Sequence, residues 1–390
     1  MQNRYLYLIS AIHFAVDVCT GSLPAILPFF VSEYGMDYTS VAGLTFASSF
    51  LSSIIQPLFG WLADKTSFRW FMPLGLLLTG IPLALAGLTD SYWLIFAAVT
   101  IMGIGAAIFH PEAARMVNSI SGKKRGSGMA IFSVGGNSGF GFGPLLAVFL
   151  LTTFGMQGTL FFAAEAIVMS IVMVMLLPRV RKFAAKLKAA EQAEEKAGEA
   201  EPKEATNNWP AFIRLTIVIL FRSTIFAGLT SFLPLYCIQV LGASHAAGGA
   251  TLSVLALTGI IATLIGGKLA DKIGFVRVMR VGLLALIPFL AGALLCGNMT
   301  AVYALLIPIS LCFHGTYSPL VVLGQTYLAK SVGFASGVTL GLAFSAGGVV
   351  VPALGRYADA NGLPATMLLL IGISVCAGLA TLLLPKVEEK

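Results

Sequence analysis

Apolar residues fall in long runs along this chain, and polar residues are confined to short breaks between them. The runs lie near 5–32, 39–63, 70–89, 92–117, 127–152, 157–178, 211–240, 248–270, 277–297, 300–328, 333–355 and 364–385. Each holds about 20 residues or more, enough for a helix to cross a hydrocarbon core of about 30 Å. In lipid a spanning segment must satisfy its own backbone, so the choice lies between helices and closed barrels. Barrel strands would alternate apolar and polar with period two, and these runs do not. The pattern predicts an all-α membrane protein of twelve transmembrane helices.

One segment breaks the rhythm. Residues 179–209 are rich in Ala, Glu and Lys and lack a continuous apolar stripe. They read as a cytoplasmic linker, partly helical. The linker divides the chain into an N-terminal six-helix bundle (1–178) and a C-terminal one (210–390). The N-terminal MQNRYLYLIS runs into the first apolar stretch with no small-residue cleavage site, so the first span is read as retained.

Composition agrees with lipid as the solvent. The chain is 57% hydrophobic and 11% charged, with a mean hydropathy of +0.91. A soluble domain carries about 25% charged residues. The net charge of +7 does not point to nucleic acid, because the basic residues sit in the breaks between spans and not on one polar face. Arg4, Lys65, Arg69, Lys123, Lys124, Arg125, the 179–209 segment, Lys272, Arg277, Arg280, Lys330, Lys386 and Lys390 share one side, with Arg356 as the exception. The positive-inside rule puts that side, and both termini, in the cytoplasm. The five cysteines all lie inside apolar runs, without disulfide or zinc spacing.

The two halves resemble each other. GWLADKTSFR at 60–69 returns as GGKLADKIGFVR at 266–277, pairing Gly60 with Gly267 and Asp64 with Asp271 at an offset of 207. Phe109-His110 returns as Phe313-His314, SGM at 127–129 as SGV at 336–338, and GFGP at 141–144 as VVVP at 349–352. Duplicated helical halves are a hallmark of alternating-access transporters, which bind cargo between their repeats near mid-membrane. The expectation is therefore two pseudo-symmetric six-helix bundles.

The loop sequences resemble the G-x-L-A-D-[RK]-x-G-x-[RK] motif of the major facilitator superfamily, and the layout resembles that superfamily over the whole chain. The second copy matches well. The first departs at Trp61 and has Ser67 where Gly is usual. The resemblance implies the major facilitator fold and a gating role for Gly60, Asp64, Lys65, Arg69, Gly267, Asp271, Lys272 and Arg277, with the loop steadying an outward-facing state. An Asp at a helix N-terminus is a physically reasonable latch. Residues 105–147, and His13 with Asp17 in an H-x-x-x-D pattern, resemble the fosmidomycin-resistance branch. That likeness implies proton-driven export of a small polar or anionic molecule, a drug or a metabolite, from a bacterial inner membrane. Gly139, Gly143 and Pro144 match the G-x-x-x-G-P of the superfamily's antiporter motif, without its trailing Gly-Gly.

Ionisable side chains inside spans are costly and mark pathways. His13 and Asp17 are four residues apart and so share a helix face. His110, Glu112 and Arg115 fall in the fourth span. His13 and His110 lie about equally deep, some 12 Å by helical rise, which permits a cluster with Asp17 and Glu112. The cluster is read as the carrier of the driving proton, with a static polar clamp and a Zn²⁺ or Mn²⁺ site as alternatives. Arg222, in the seventh span, is a candidate for an anionic cargo group or for pairing with Asp17. His314, Asn137 and Gln56 are further substrate-binding candidates; Glu165 and Gln325 stay unassigned.

The expected partners are protons, a small-molecule substrate and the lipid bilayer, around a monomer without cofactor, metal or nucleic acid. An importer, a passive facilitator, a metallophore exporter and a non-transporting receptor remain open alternatives. An intramembrane enzyme finds no support, since no H-E-x-x-H, G-x-S-x-G or P-loop pattern occurs.

Overall fold

The structure, a computed structural model, describes residues 4–65, 70–197 and 206–385. Arg69, part of the first loop motif, lies outside the described residues. In chain order the helices are α1 (Arg4–Tyr34), α2 (Tyr38–Lys65), α3 (Phe71–Ala86), α4 (Tyr92–Ile120), α5 (Arg125–Phe154), α6 (Leu160–Ala197), α7 (Trp209–Gln239), α8 (His245–Ile273), α9 (Phe275–Leu295), α10 (Met299–His314), α11 (Tyr317–Tyr327) and α12 (Val332–Leu382). A 3-10 turn, Gly155–Thr159, links α5 to α6.

Helices and spans do not correspond one to one. α10 and α11 together form the tenth span, broken at Gly315 and Thr316. α12 carries the eleventh and twelfth, separated at Gly362, whose φ of +83° no helix contains. Among the described residues nine stretches are long and apolar enough to cross a membrane. One of them, Arg125–Ala193, is α5 and α6 in succession, and Phe71–Ala86 and Val332–Ala343 are shorter apolar helices. These account for the twelve predicted spans. The helix of the sixth span continues through Ala197, into the segment read as linker.

The chain forms two compact units. One comprises 1–123, 131–206 and 329–341; the other 124–130, 207–328 and 342–390. The division is interleaved: the start of α5 belongs with the second unit and the start of α12 with the first. In the first unit, Phe30, Leu83, Ile95 and Phe162 form a fully buried apolar centre. Large apolar side chains also remain exposed on both units, among them Leu94, Leu145, Met175, Leu257 and Ile261. An outward apolar surface of that kind fits acyl chains, not water.

Small residues set the helix spacing. With no hydrophobic drive between helices in lipid, close packing has to hold them. A Cβ on Gly105 of α4 would lie 2.7 Å from the backbone of Leu78 and Thr79 in α3. Along α5, Gly135, Gly139 and Gly143 recur every four residues and press on the backbone of Ser10, Phe14 and Val18 in α1. Hydrogen bonds run along the same seam: the hydroxyls of Ser10 and Ser22 donate to the carbonyls of Ile131 (2.6 Å) and Gly143 (2.9 Å).

Two α5 glycines separate these forces. Gly139→Ala drives a methyl into an α1 carbonyl that cannot swing aside and should cost about 1–3 kcal/mol. Gly141, two residues on and so about 200° around the helix, has open space where its Cβ would be. Gly141→Ala should be neutral or slightly stabilising through helix propensity. Melting temperatures of the purified variants in one detergent check the pair; equal shifts would remove the packing argument.

Candidate functional site

The residues singled out inside the first and fourth spans meet. One helical turn separates His13 from Asp17, and the His13 Nε2 lies 3.2 Å from Asp17 Oδ2. From α4, His110 Nε2 lies 3.1 Å from Asp17 Oδ1. The carboxylate is thus held between two imidazoles, one on each oxygen. Thr20 Oγ1 adds a contact of 3.3 Å to Oδ1. The opposite nitrogen of each ring is anchored to backbone: His13 Nδ1 donates to the Phe132 carbonyl (2.8 Å) and His110 Nδ1 to the Ala106 carbonyl (2.7 Å). Phe132 stacks on the His13 ring at a centroid distance of 3.9 Å.

This geometry fixes a proton count. A carbonyl only accepts, so each Nδ1 carries a proton. Each Nε2 faces a carboxylate oxygen. A close N···O contact there needs one proton in between, whether it rests on nitrogen or on oxygen. Made as hydrogen bonds, the two contacts hold two protons between the rings and the carboxylate. Removing one leaves a nitrogen lone pair opposed to an oxygen lone pair, and that contact must lengthen.

Gly136 of α5 makes room for the group. A Cβ there would meet both the His13 ring and an Asp17 oxygen. Neither Gly136 nor the Phe132 carbonyl was singled out in the sequence. The signal was available, since Gly136 interrupts the four-residue glycine row and so faces a different neighbour.

Glu112 and Arg115 do not join that group. Arg115 clasps Glu112 with two hydrogen bonds of 2.9 Å, from Nε and Nη2. Glu112 is buried, and the pair borders a small cavity with Ser119 and Arg181. The cluster is therefore His13, Asp17 and His110, and Glu112 forms an ion pair of its own on the other side of α4.

In the second unit Arg222 is 4% exposed, and among the described residues no carboxylate lies within salt-bridge distance of it. Its Nη2 donates to the Phe313 carbonyl (3.2 Å) and its Nε to Thr316 Oγ1 (3.3 Å). The guanidinium carbon lies 4.1 Å from the centroid of Phe313 and 5.3 Å from that of Tyr317. Cation–π attraction and a carbonyl stand where a carboxylate was one expectation. His314 Nδ1 shares a proton with Ser310 Oγ at 3.1 Å. Gln56 is buried against Gly337 and Gly341. Asn137 is half-exposed on α5.

The loop-motif aspartates cap helices. Asp64 accepts from the backbone N–H of Gly333 (2.7 Å) and Phe334 (2.8 Å), in the first turn of α12. Asp271 accepts from the N–H of Gly126 (2.7 Å) and Ser127 (2.8 Å), in the first turn of α5. Two unsatisfied N–H groups and the positive end of a helix dipole thus meet a carboxylate in each case. Donors and acceptors keep the repeat: 126 and 333 are also 207 apart. Gly60 and Gly267 let the backbones touch at the same places. Asp271 has a third bond, from Ser127 Oγ at 2.5 Å, which Phe334 does not offer Asp64. Lys65 lies over the Trp61 ring at 4.0 Å; Lys272 and Arg277 are exposed.

Residues 9–352 match the family described as Major Facilitator Superfamily. The chain belongs to that superfamily. It is 30% identical to a Bacillus subtilis (strain 168) protein, "Uncharacterized MFS-type transporter YfnC", over 97% of this chain and 92% of that one. It is 27% identical to the "Fosmidomycin resistance protein" of Escherichia coli (strain K12), over 98% and 93%. The crystal structure of the human organic anion transporter MFSD10 (TETRAN) superposes with a TM-score of 0.74 at 18% identity, covering 98% of this chain and 100% of that chain. That likeness speaks for the fold. The chain is an integral membrane transporter of a superfamily whose members move solutes and do not catalyse reactions on them.

Gly136→Ala tests the site's geometry. The added methyl displaces the His13 ring or the Asp17 carboxylate, so at least one imidazole–carboxylate contact should be lost while the fold stays intact. The imidazole proton resonances of His13 and His110, compared with wild type, read this out; unchanged resonances would show that the group tolerates the methyl.

Proposed function

We propose that this transporter is a proton-coupled antiporter that exports a small polar or anionic organic molecule across a bacterial inner membrane, with both termini in the cytoplasm. The observation that carries the reading is Asp17, held between two imidazoles in a membrane-spanning helix. A permanent structural ion pair needs one partner. Two titratable partners on one carboxylate make a site whose occupancy changes by a whole proton while its contacts rearrange. The cost of charged groups in the membrane makes such an arrangement unusual outside ion pathways.

Coupling needs a second ingredient, a switch of access. The capped first turns of α5 and α12 supply it. Both lie on the side to which the basic residues assign the cytoplasm, and each joins spans from opposite sequence halves. Charge-assisted bonds of this type contribute about 1.5–3 kcal/mol each. With the caps made, the cytoplasmic side is held shut; with the caps broken, it opens to cargo. The glycine seam of α5 and Pro144 agree with the antiporter resemblance. The name of the Escherichia coli relative supports drug efflux as the physiological setting, and Arg222 supplies a desolvated cation for an anionic group on the cargo.

Proteoliposomes with an imposed proton gradient test the coupling. Asp17→Asn should abolish uphill cargo accumulation while retaining cargo exchange at equal concentrations, because exchange needs no net proton movement. Undiminished gradient-driven transport would exclude Asp17 as the carrier. The latch predicts an ordered pair. Asp271→Ala removes three bonds and Asp64→Ala two, so the Asp271 variant should be the more accessible to a membrane-impermeant thiol reagent at a cysteine placed on the cytoplasmic side of the pathway.

A further inference from the structure

We propose that His13, Asp17 and His110 also form a binding site for one divalent late-transition-metal ion, of the Zn²⁺, Ni²⁺ or Co²⁺ type. The proposal rests on geometry that proton carriage does not require. One ligand atom from each residue lies within 4.8 Å of the other two. Each imidazole nitrogen already faces an Asp17 oxygen, His13 at 3.2 Å from Oδ2 and His110 at 3.1 Å from Oδ1. The three side chains would close in on one ion, to bonds of about 2.0–2.2 Å.

The rings are also oriented as metal ligands are. A metal-binding imidazole nearly always donates its other N–H to a carbonyl or carboxylate, which fixes the tautomer and aims the free lone pair. Both rings do this here, through carbonyls on two different helices: Phe132 of α5 for His13 and Ala106 of α4 for His110. A carrier of protons alone would work with either ring nitrogen facing the acid. Two imidazoles and one carboxylate suit zinc, nickel or cobalt; magnesium and calcium prefer an all-oxygen shell. The carboxylate offsets part of a divalent ion's charge, and the imidazoles bind it in their neutral form. The fourth position is open to water or to a donor atom of the cargo. Bound across α1 and α4, the ion would tie the two helices together and stop transport.

Because the inference concerns the residues assigned to proton carriage, binding has to be read without transport. The probe is Co²⁺ added to the purified, untagged full-length chain in detergent, followed by its visible ligand-field absorption and by calorimetry. The expected result is one Co²⁺ per chain, displaced by Zn²⁺ and unaffected by excess Mg²⁺. His110→Gln and, separately, His13→Gln should weaken binding by more than about tenfold, by loss of a ligand. A His245→Gln, His314→Gln double variant, which removes the chain's other two histidines, should bind as wild type does. No saturable absorption, or binding that survives both single substitutions but not the double one, overturns the site. Should one single variant fail to fold, the other carries the comparison. The two readings fail separately: silent Co²⁺ titrations with intact proton-driven transport sink the metal site alone, and a metal-binding chain whose Asp17→Asn variant still transports sinks proton carriage alone.

Discussion

A polar group left unpaired in an apolar medium costs several kcal/mol, and this one penalty shapes the chain at every level. It selects helices for the spans. It then disposes of the hydroxyls, which turn back on their own helices: Thr79 to the Gly75 carbonyl, Thr100 to Phe96 and Thr263 to Gly259. Helix ends are treated in the same way. The exposed N–H groups at the start of α5 and α12 are met by Asp271 and Asp64. The last carbonyls of α12 are met by Arg280, which donates to Thr381 (3.2 Å) and Leu382 (3.3 Å), and Arg214 donates to the next carbonyl, Leu383 (3.2 Å). The contacts that look like gating elements are first of all solutions to a solvation problem.

The same penalty explains why the candidate site needs the glycine seam. Two imidazoles and a carboxylate are tolerable in the membrane only when every donor has an acceptor. His13 finds its acceptor on α5, and it does so because Gly135, Gly136 and Gly139 bring that backbone close enough. The seam and the site are one construction. A bulkier α5 would lose the Phe132 carbonyl as a partner and leave the His13 N–H unsatisfied.

Much of this was legible in the sequence, because its signals were one-dimensional. Span count followed from apolar length, and the bundle symmetry from repeats at fixed offsets. His13 and Asp17 fell on one face by helical spacing, and His110 fell at their depth. Glu112 sat at nearly the same depth, but depth alone carries no azimuth. Two residues beyond His110, Glu112 points about 200° around the helix and finds Arg115. The partner atoms of the site were hidden for a related reason: they are backbone groups, the carbonyls of Ala106 and Phe132 and the N–H groups of residues 126, 127, 333 and 334. Backbone atoms carry no residue signature. The correspondence of Gly126 with Gly333 emerges only from the bonds that their N–H groups make.

The repeat also shows where the two halves parted. The mechanical pieces persist, since aspartate, glycine and capped helix recur at the same spacing of 207. The chemical pieces diverge. His110 has its counterpart in His314, which is bonded to Ser310 and not to an acid. Asp17 corresponds at that spacing to Thr224, whose hydroxyl returns to the Leu220 carbonyl. Two residues before it stands Arg222, buried over Phe313 and Tyr317. One half thus keeps an acid with two bases, and the other keeps a cation that aromatic faces and a carbonyl stabilise only in part. The capping contacts of the shared scaffold are thus held alike, while the two halves differ by a handful of side chains inside otherwise equivalent helices.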